Sequence, residues 1–286
     1  MTGGIYWLAS YPKSGNTWTR GFINALLNKD ADQEVDINAL NTGPIASSRH
    51  WLENGLGFDI DQLDHDEVDN LRPFAYRWLA ERIEGYGYHK VHDAYTYLPN
   101  GLPLFPKEAT AGVLQIVRNP LDVAVSYANH NGESIEKSIR KMGNPRHAFS
   151  ASENRCHPQI RQWLLSWSHH VRSWQSADFN ILTVRYEDMK CMPEYTFRKM
   201  AEFLQLSSDE KSVRSALEKS HFDNLKSQEE NKGFKEKPTG ASSFFRKGIV
   251  GDWKNTLTDE QIAGIIEDHG EVMASFGYLD DSGSPA

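Results

Sequence analysis

Ile5-Tyr6-Trp7-Leu8-Ala9-Ser10-Tyr11-Pro12-Lys13-Ser14-Gly15-Asn16-Thr17-Trp18 runs directly into Thr19-Arg20-Gly21-Phe22-Ile23-Asn24-Ala25-Leu26-Leu27. The apolar run, the polar turn and the spacing of Phe22, Ile23, Leu26 and Leu27 predict a short buried strand, a tight turn and a helix. Such a junction is an anion cradle. The first N–H groups of a helix have no intrahelical partner and carry partial positive charge, and Gly15 lets the backbone approach a ligand closely. Ser14 and Thr17 add hydroxyl donors, Asn16 a short polar side chain and Lys13 a full charge. Trp18 offers an indole face on which an adenine could stack, or equally a piece of core. Pro-Lys-Ser-Gly is also an ordinary turn in which Ser14 or Asn16 caps the helix, so the loop alone leaves both readings open.

The Walker pattern Gly-x-x-x-x-Gly-Lys-Ser/Thr is missing, because the lysine here precedes the only glycine of the loop, and an ordinary ATP or GTP site is disfavoured. A second junction follows at Gly112-Val113-Leu114-Gln115-Ile116-Val117-Arg118-Asn119-Pro120-Leu121-Asp122-Val123-Ala124-Val125-Ser126-Tyr127. An apolar run ends at Arg118, Pro120 suits a first helical turn, and Val123 to Tyr127 continue as helix. Arg118 can hold a phosphate with two hydrogen bonds, and Ser126, two turns on, can add a hydroxyl. An Arg118–Asp122 pair would be the structural alternative. Two such junctions side by side are what a nucleotide-binding α/β domain provides. The fold expected is therefore α/β, a P-loop-like three-layer arrangement with a central parallel sheet flanked by helices.

A third motif is Phe244-Phe245-Arg246-Lys247-Gly248-Ile249-Val250-Gly251-Asp252-Trp253-Lys254-Asn255. Arg246 and Lys247 put two cations beside the close-approach backbone of Gly248, a grip for a second phosphate, although a basic pair is often only a solvated surface. Residues 225–243, just before it, are so charged and glycine-rich that a mobile loop is expected.

With 286 residues, of which 39% are hydrophobic, the chain can bury a sizeable core and fits one large domain over residues 1–286. Lys+Arg 31 against Asp+Glu 39 gives a net charge of −8, which disfavours nucleic acid or an anionic membrane as the main partner. Anion binding must then come from local clusters. The two cysteines, Cys156 and Cys191, form no Cys-x-x-Cys pair, so no metal knuckle or disulfide framework is expected. No signal sequence or bilayer-length apolar stretch is visible, and a soluble cytoplasmic protein is expected.

Elsewhere the pattern is less sharp. Residues 28–70 carry no motif, and Phe74, Tyr76, Trp78, Leu79 and Ile83 suggest a helix with an aromatic face packed in the core. Tyr88-His89-Lys90-Val91-His92-Asp93 alternates like a strand end that delivers Lys90 and His92 to one side. On residues alone, a structural histidine explains His92 as well. Residues 129–157 read as an insertion or lid over an acceptor. Ile160, Trp163, Leu164, Trp167, Val171 and Trp174 recur at helical spacing as a core stripe, and adjacent His169 and His170 lack the spacing of a metal pair. Ile181 to Val184 read as a buried strand, with helices over 194–204 and 209–220.

The loop at Tyr11 to Trp18 resembles the 5′-phosphosulfate loop of the sulfotransferases that use 3′-phosphoadenosine 5′-phosphosulfate, whose usual wording has threonine where Asn16 stands. Val117-Arg118-Asn119-Pro120-x-Asp122-x-x-x-Ser126 resembles the same family's 3′-phosphate motif, and Arg246-Lys247-Gly248-x-x-Gly251-Asp252-Trp253-Lys254-Asn255 its C-terminal signature. Lys90-Val91-His92 looks like the Lys-Thr-His segment that carries that family's catalytic base. Three ordered motifs over roughly residues 5–255 identify the chain as similar to the cytosolic type, and the N-terminal wording looks closer to bacterial sulfotransferases that modify natural products.

The resemblance implies sulfuryl transfer to a hydroxyl of a small molecule, phenolic or aliphatic, with 3′-phosphoadenosine 5′-phosphate as product and no metal. It implies His92 as base, Lys13 opposite the leaving phosphate, and Lys90 near the transferring group. Lys13, Ser14, Gly15, Asn16, Thr17, Trp18, Arg118, Ser126, Tyr186, Ser220, Phe222, Phe245, Arg246, Lys247 and Gly248 would bind the donor. Ser220 and Phe222 come from a weak match of Ser220-His221-Phe222 to the family's Thr-Ser-Phe. The family's dimer segment would fall at 254–263, but Asp259 and Ala263 depart from it, so no dimer is expected there. A kinase-like nucleoside-phosphate enzyme and a non-catalytic nucleotide-binding module are the rival readings.

Overall fold

The computed structural model of the chain describes residues 3–28, 34–152, 157–238, 240–241 and 243–286. Cys156, with the adjacent part of the expected lid, and two positions of the expected loop at 225–243 lie outside the described residues. In chain order the elements begin β1 (Gly4–Ser10), α1 (Asn16–Leu27), α2 (Arg49–Leu56), α3 (His65–Ala80), β2 (Tyr86–Val91) and β3 (Thr110–Val117). Then come α4 (Pro120–Asn131), α5 (Ile135–Gly143), β4 (Ala148–Phe149), β5 (Gln162–Trp163), α6 (Trp167–Gln175) and β6 (Ile181–Arg185). Helices α7 (Tyr186–Cys191), α8 (Pro193–Phe203), α9 (Glu210–Lys219), α10 (Phe222–Lys232) and α11 (Asp259–Ser275) complete the chain.

The main sheet has the order β2-β1-β3-β6, and β1 and β2 run parallel from Gly4 opposite Tyr86 to Ala9 opposite Val91. Every residue of β1 is buried, as a strand covered on both faces requires. Chain order along the sheet reverses at β1, with β2 on one side and β3 on the other. Ligands of α/β sheets bind beyond the strand carboxyl ends at such a reversal. The loop at 11–15 leaves β1 there, and Arg118 leaves β3.

The chain divides into two compact units, one of residues 1–11, 42–115 and 145–183, the other of 12–41, 116–144 and 184–286. In the first, Trp7, Tyr76, Phe105 and Trp174 form a chain of ring contacts through the core. Beside it lies a buried ion cluster. Arg72, fully buried, donates to both carboxylate oxygens of Asp93 at 3.0 and 2.9 Å and pairs with Asp69, which also takes Arg161 at 2.6 Å. A guanidinium so far from water persists only because carboxylates occupy its donors. The second unit has its own core of Val35, Ile37, Leu225, Phe234 and Phe245, with Trp18 and Phe222 half-buried against it.

Several expectations are corrected. Helix α3 begins well before Phe74, at a capping box of Asp64 and Glu67, and of its aromatic residues only Tyr76 enters the core, while Phe74 and Trp78 are exposed. The tryptophan stripe is core but helical only from Trp167, because Gln162 and Trp163 pair with β4 and Leu165 has a positive φ. Strand β6 is the sheet edge and only half-buried, its outer side having no strand to cover it. Residues 222–232 form a helix, with Leu225 and Glu229 buried, where a loop was expected. The expected lid starts as the last turn of α4 and contains α5.

Candidate active site

The loop after β1 lacks the side-chain cap that its sequence allowed. Helix α1 starts from Gly15, at φ 105°, which has no side chain to cap the first turn. A helix N-terminus begun in this way favours an anion. Lys13 also has a positive φ, 69°, and a left-handed residue beside a right-handed neighbour turns successive N–H groups inward to make an anion-binding hollow. Ser14 is buried and its Oγ has no hydrogen-bond partner among the described residues. A buried, unpaired hydroxyl at this position fits a bound phosphate or sulfate group. Gly15 admits no side chain, since a Cβ would stand 2.8 Å from Cδ2 of Tyr186. Asn16 and Thr17, both buried, begin α1.

Arg118 ties the loop after β1 to the basic loop. It donates to the carbonyls of Lys13 and Ile249 at 3.0 and 3.1 Å, and its guanidinium lies 4.4 Å over the Tyr186 ring. Asp122 is 3.8 Å away, so the ion pair of the structural alternative is also present. Nε of Arg118 is buried and has no hydrogen-bond partner among the described residues, the second orphaned donor of the cradle. Ser126 sits half-buried two turns along α4.

The basic loop is held by three carboxylates. Asp122 accepts from the N–H groups of Gly251 and Trp253 at 2.8 and 3.1 Å. Glu229, on α10, accepts from those of Phe244 and Phe245 at 2.7 and 2.8 Å. Asp252 pairs with Arg246 and takes Lys247 at 2.6 Å. Burial would raise its pKa, but the two cations hold it below the usual carboxylate value. Gly248, at φ 62°, presses on Phe222, whose ring lies 2.5 Å from where a Cβ would stand. Ser220 is fully buried, and its hydroxyl donates to the Ala216 carbonyl at 2.7 Å.

Nζ of Lys13 lies 3.4 Å from Nδ1 of His130 and 3.9 Å over the Phe244 ring. An ammonium has only protons to give, so in this contact Nδ1 accepts and the imidazole proton is on Nε2. All the predicted donor-binding residues belong to the second unit. Lys90 and His92 belong to the first, at the end of β2.

His92 is oriented from its own backbone outward. Nδ1 donates to the Ser10 carbonyl at 2.8 Å, which leaves the basic lone pair on Nε2. The His92 carbonyl accepts from Nε2 of His170 at 3.2 Å, and the Asp93 carbonyl from Trp174 at 3.0 Å. His170 is buried, and burial lowers its pKa to about 4, so it stays neutral. Asp93 is committed to Arg72, and His89 is a core residue stacked on Trp51. The sequence did not mark Glu229 as a site residue, and it gave no role to Phe244, the first residue of the quoted basic motif. Each acts through a contact more than ten positions away, which local pattern cannot report. Asp252 likewise stood inside the quoted basic motif.

A family model described as "Sulfotransferase domain" matches residues 5–277. Flavonol 3-sulfotransferase of Flaveria bidentis is 26% identical over 95% of this chain and 82% of its own length. Cytosolic sulfotransferase 16 of Arabidopsis thaliana is 27% identical over 91% of this chain and 74% of its own. A mouse sulfotransferase solved in complex with PAP superposes with a TM-score of 0.58 at 21% identity, covering 98% of this chain and 87% of that one. Retinol dehydratase, solved with androsterone and PAP, gives 0.59 at 16% identity, over 94% and 80%. These two share the fold. A family match over residues 5–277, almost the whole length of the chain, places this protein in the sulfotransferase family.

Proposed function

We propose that the protein transfers a sulfuryl group from 3′-phosphoadenosine 5′-phosphosulfate to a hydroxyl of a small molecule, as one domain over residues 1–286. The observation that carries the donor assignment is the start of α1, where Arg118 donates to the Lys13 carbonyl while its Nε and the buried Ser14 hydroxyl have no hydrogen-bond partner among the described residues. That set supplies fixed positive potential for a phosphosulfate group. Transfer of this kind needs positioning and charge stabilisation more than covalent help from the protein. Lys13 offsets charge on the leaving 5′-phosphate, and Arg118 with Ser126 holds the 3′-phosphate. His92 takes the acceptor proton on Nε2, and Lys90 assists near the transferring group. Lysine, arginine and a helix N-terminus provide the counter-charge, and the proposal invokes no metal.

Relatives named for flavonols support an acceptor with a phenolic hydroxyl. A cytoplasmic location is part of the same reading. Relatives named as cytosolic support it, and among the described residues no helix is long and apolar enough to cross a membrane. The test is donor binding followed by an acceptor screen with labelled sulfonate over phenols and aliphatic alcohols. Labelled product supports the assignment. Magnesium-dependent ATP turnover, with no response to the sulfated nucleotide, would instead favour a kinase-like enzyme, and tight binding without transfer a nucleotide-binding module.

A further inference from the structure

Lys190 takes no part in the proposed transfer, yet it stands among the residues assigned to the donor. It lies one helical turn beyond Tyr186 on α7, so the two side chains leave the same side. Its ammonium is 5.4 Å from the centre of the Trp18 ring and 5.8 Å from that of Phe222. Tyr186 in turn contacts Trp18, with ring centres 6.3 Å apart, and carries Arg118 over its face. Among the described residues no carboxylate comes within ion-pair distance of Lys190. Burial pushes its pKa down, Asp223 acts on it from a distance in the opposite sense, and Arg118 lowers it further. The near contacts of the half-buried ammonium are therefore ring faces, with Asp223 acting only from a distance. The buried indole N–H of Trp18 has no hydrogen-bond partner among the described residues.

We propose that Lys190 reads the base of the donor, its ammonium donating to a ring nitrogen of a purine held against Trp18 and Phe222. This rests on the donor assignment proposed for the same site. A group lying over both aromatic faces is within reach of whatever those faces stack. A purine presents acceptor nitrogens along its edge, and a four-carbon stem lets an ammonium follow that edge while its methylenes stay against the rings. The phosphates already have Lys13, Arg118 and the N–H groups of the cradle, whereas no other cation lies over the Trp18 ring among the described residues.

The test compares two ligands by competition against labelled 3′-phosphoadenosine 5′-phosphate. One is that nucleotide itself, the other an abasic ribose bisphosphate with the same two phosphates. Lys190→Met should weaken the nucleotide by about 10-fold or more, the usual effect of losing one charged hydrogen bond, and leave the abasic ligand unchanged. Lys190→Arg should keep most of the nucleotide affinity. Unchanged abasic binding also shows that the variant is folded. Equal weakening of both ligands would make Lys190 a phosphate partner, and no weakening of either would give it no role; both results overturn the proposal. Wild-type protein that binds the abasic ligand as well as the nucleotide would overturn it too, while leaving the phosphate cradle intact. Wild-type protein that binds neither would overturn the donor assignment itself, and this proposal with it.

Discussion

Lys13 contributes the full charge of the first loop, and its removal should separate chemistry from binding. Lys13→Ala should lower kcat about 100-fold or more, because a positioned electrostatic donor is lost, while Arg118 and the helix N-terminus retain much of the donor affinity. Single-turnover and equilibrium binding measurements check this together, and a near-normal kcat would contradict the role. For His92, kcat/KM should rise with pH through its ionisation, and His92→Ala should abolish that limb at a cost of about 10²–10⁴-fold. An acidic phenol should suffer less than an alcohol. Arg118→Ala should weaken 3′-phosphoadenosine 5′-phosphate more than adenosine 5′-phosphate, and equal weakening would make Arg118 structural. At this scale Lys13, Gly15 and Arg118 were legible, since chemistry and backbone geometry limit which residue can stand there. The tautomer of His92 was not, because it depends on the Ser10 carbonyl, supplied by a neighbouring strand.

Helix α10 shows how an element escapes a sequence reading. Its inward face consists of Leu225 and a buried carboxylate, Glu229, so hydrophobic periodicity has almost nothing to register. Yet Glu229 sets one end of the basic loop by accepting from two successive backbone N–H groups, and Asp122 sets the other. Glu229→Ala leaves those donors without their acceptor, at a cost of about 1–3 kcal/mol. Protease cleavage near Phe244 to Gly248 should become faster, and donor affinity should fall more than kcat. Unchanged proteolysis and affinity would mean that the loop is held by Asp122 and Asp252 alone. The β1–α1 and β3–α4 junctions were visible beforehand because strand, turn and helix each leave a separate local mark. The limits of α3 and α6 were not, since the caps and the positive φ at Leu165 decide them.

The whole molecule should be acid-sensitive through two buried histidines. Burial is the main cause that depresses His89 and His170, each to about 4, below the usual value near 6.5. The unfolded chain binds these protons first, so their contribution is complete above about pH 6.5 and is lost as pH falls toward 4. His170→Gln should reduce the slope of stability against pH in that window by about one proton, or ~1.4 kcal/mol per pH unit, as measured by urea unfolding. An unchanged slope would show that His170 is not buried neutral. Assembly is the second property at this scale. Sedimentation and cross-linking should find no dimer through residues 254–263, where Asp259 opens α11, and a link between two copies of that segment would refute it. Fold class was readable over this whole span because the two junctions recur in order, whereas the division into two units follows from contacts between distant segments. The left-handed backbone at Lys13 bears on the history of the whole chain. A residue with a Cβ pays about 1–2 kcal/mol there, a strain that glycine would not carry. Lys13→Gly should therefore melt at a higher temperature than the natural protein while losing turnover. In a random library screened only for heat resistance, the lysine proposed for the transfer would be among the first residues discarded, and long passage without selection for that transfer should leave glycine or asparagine at position 13.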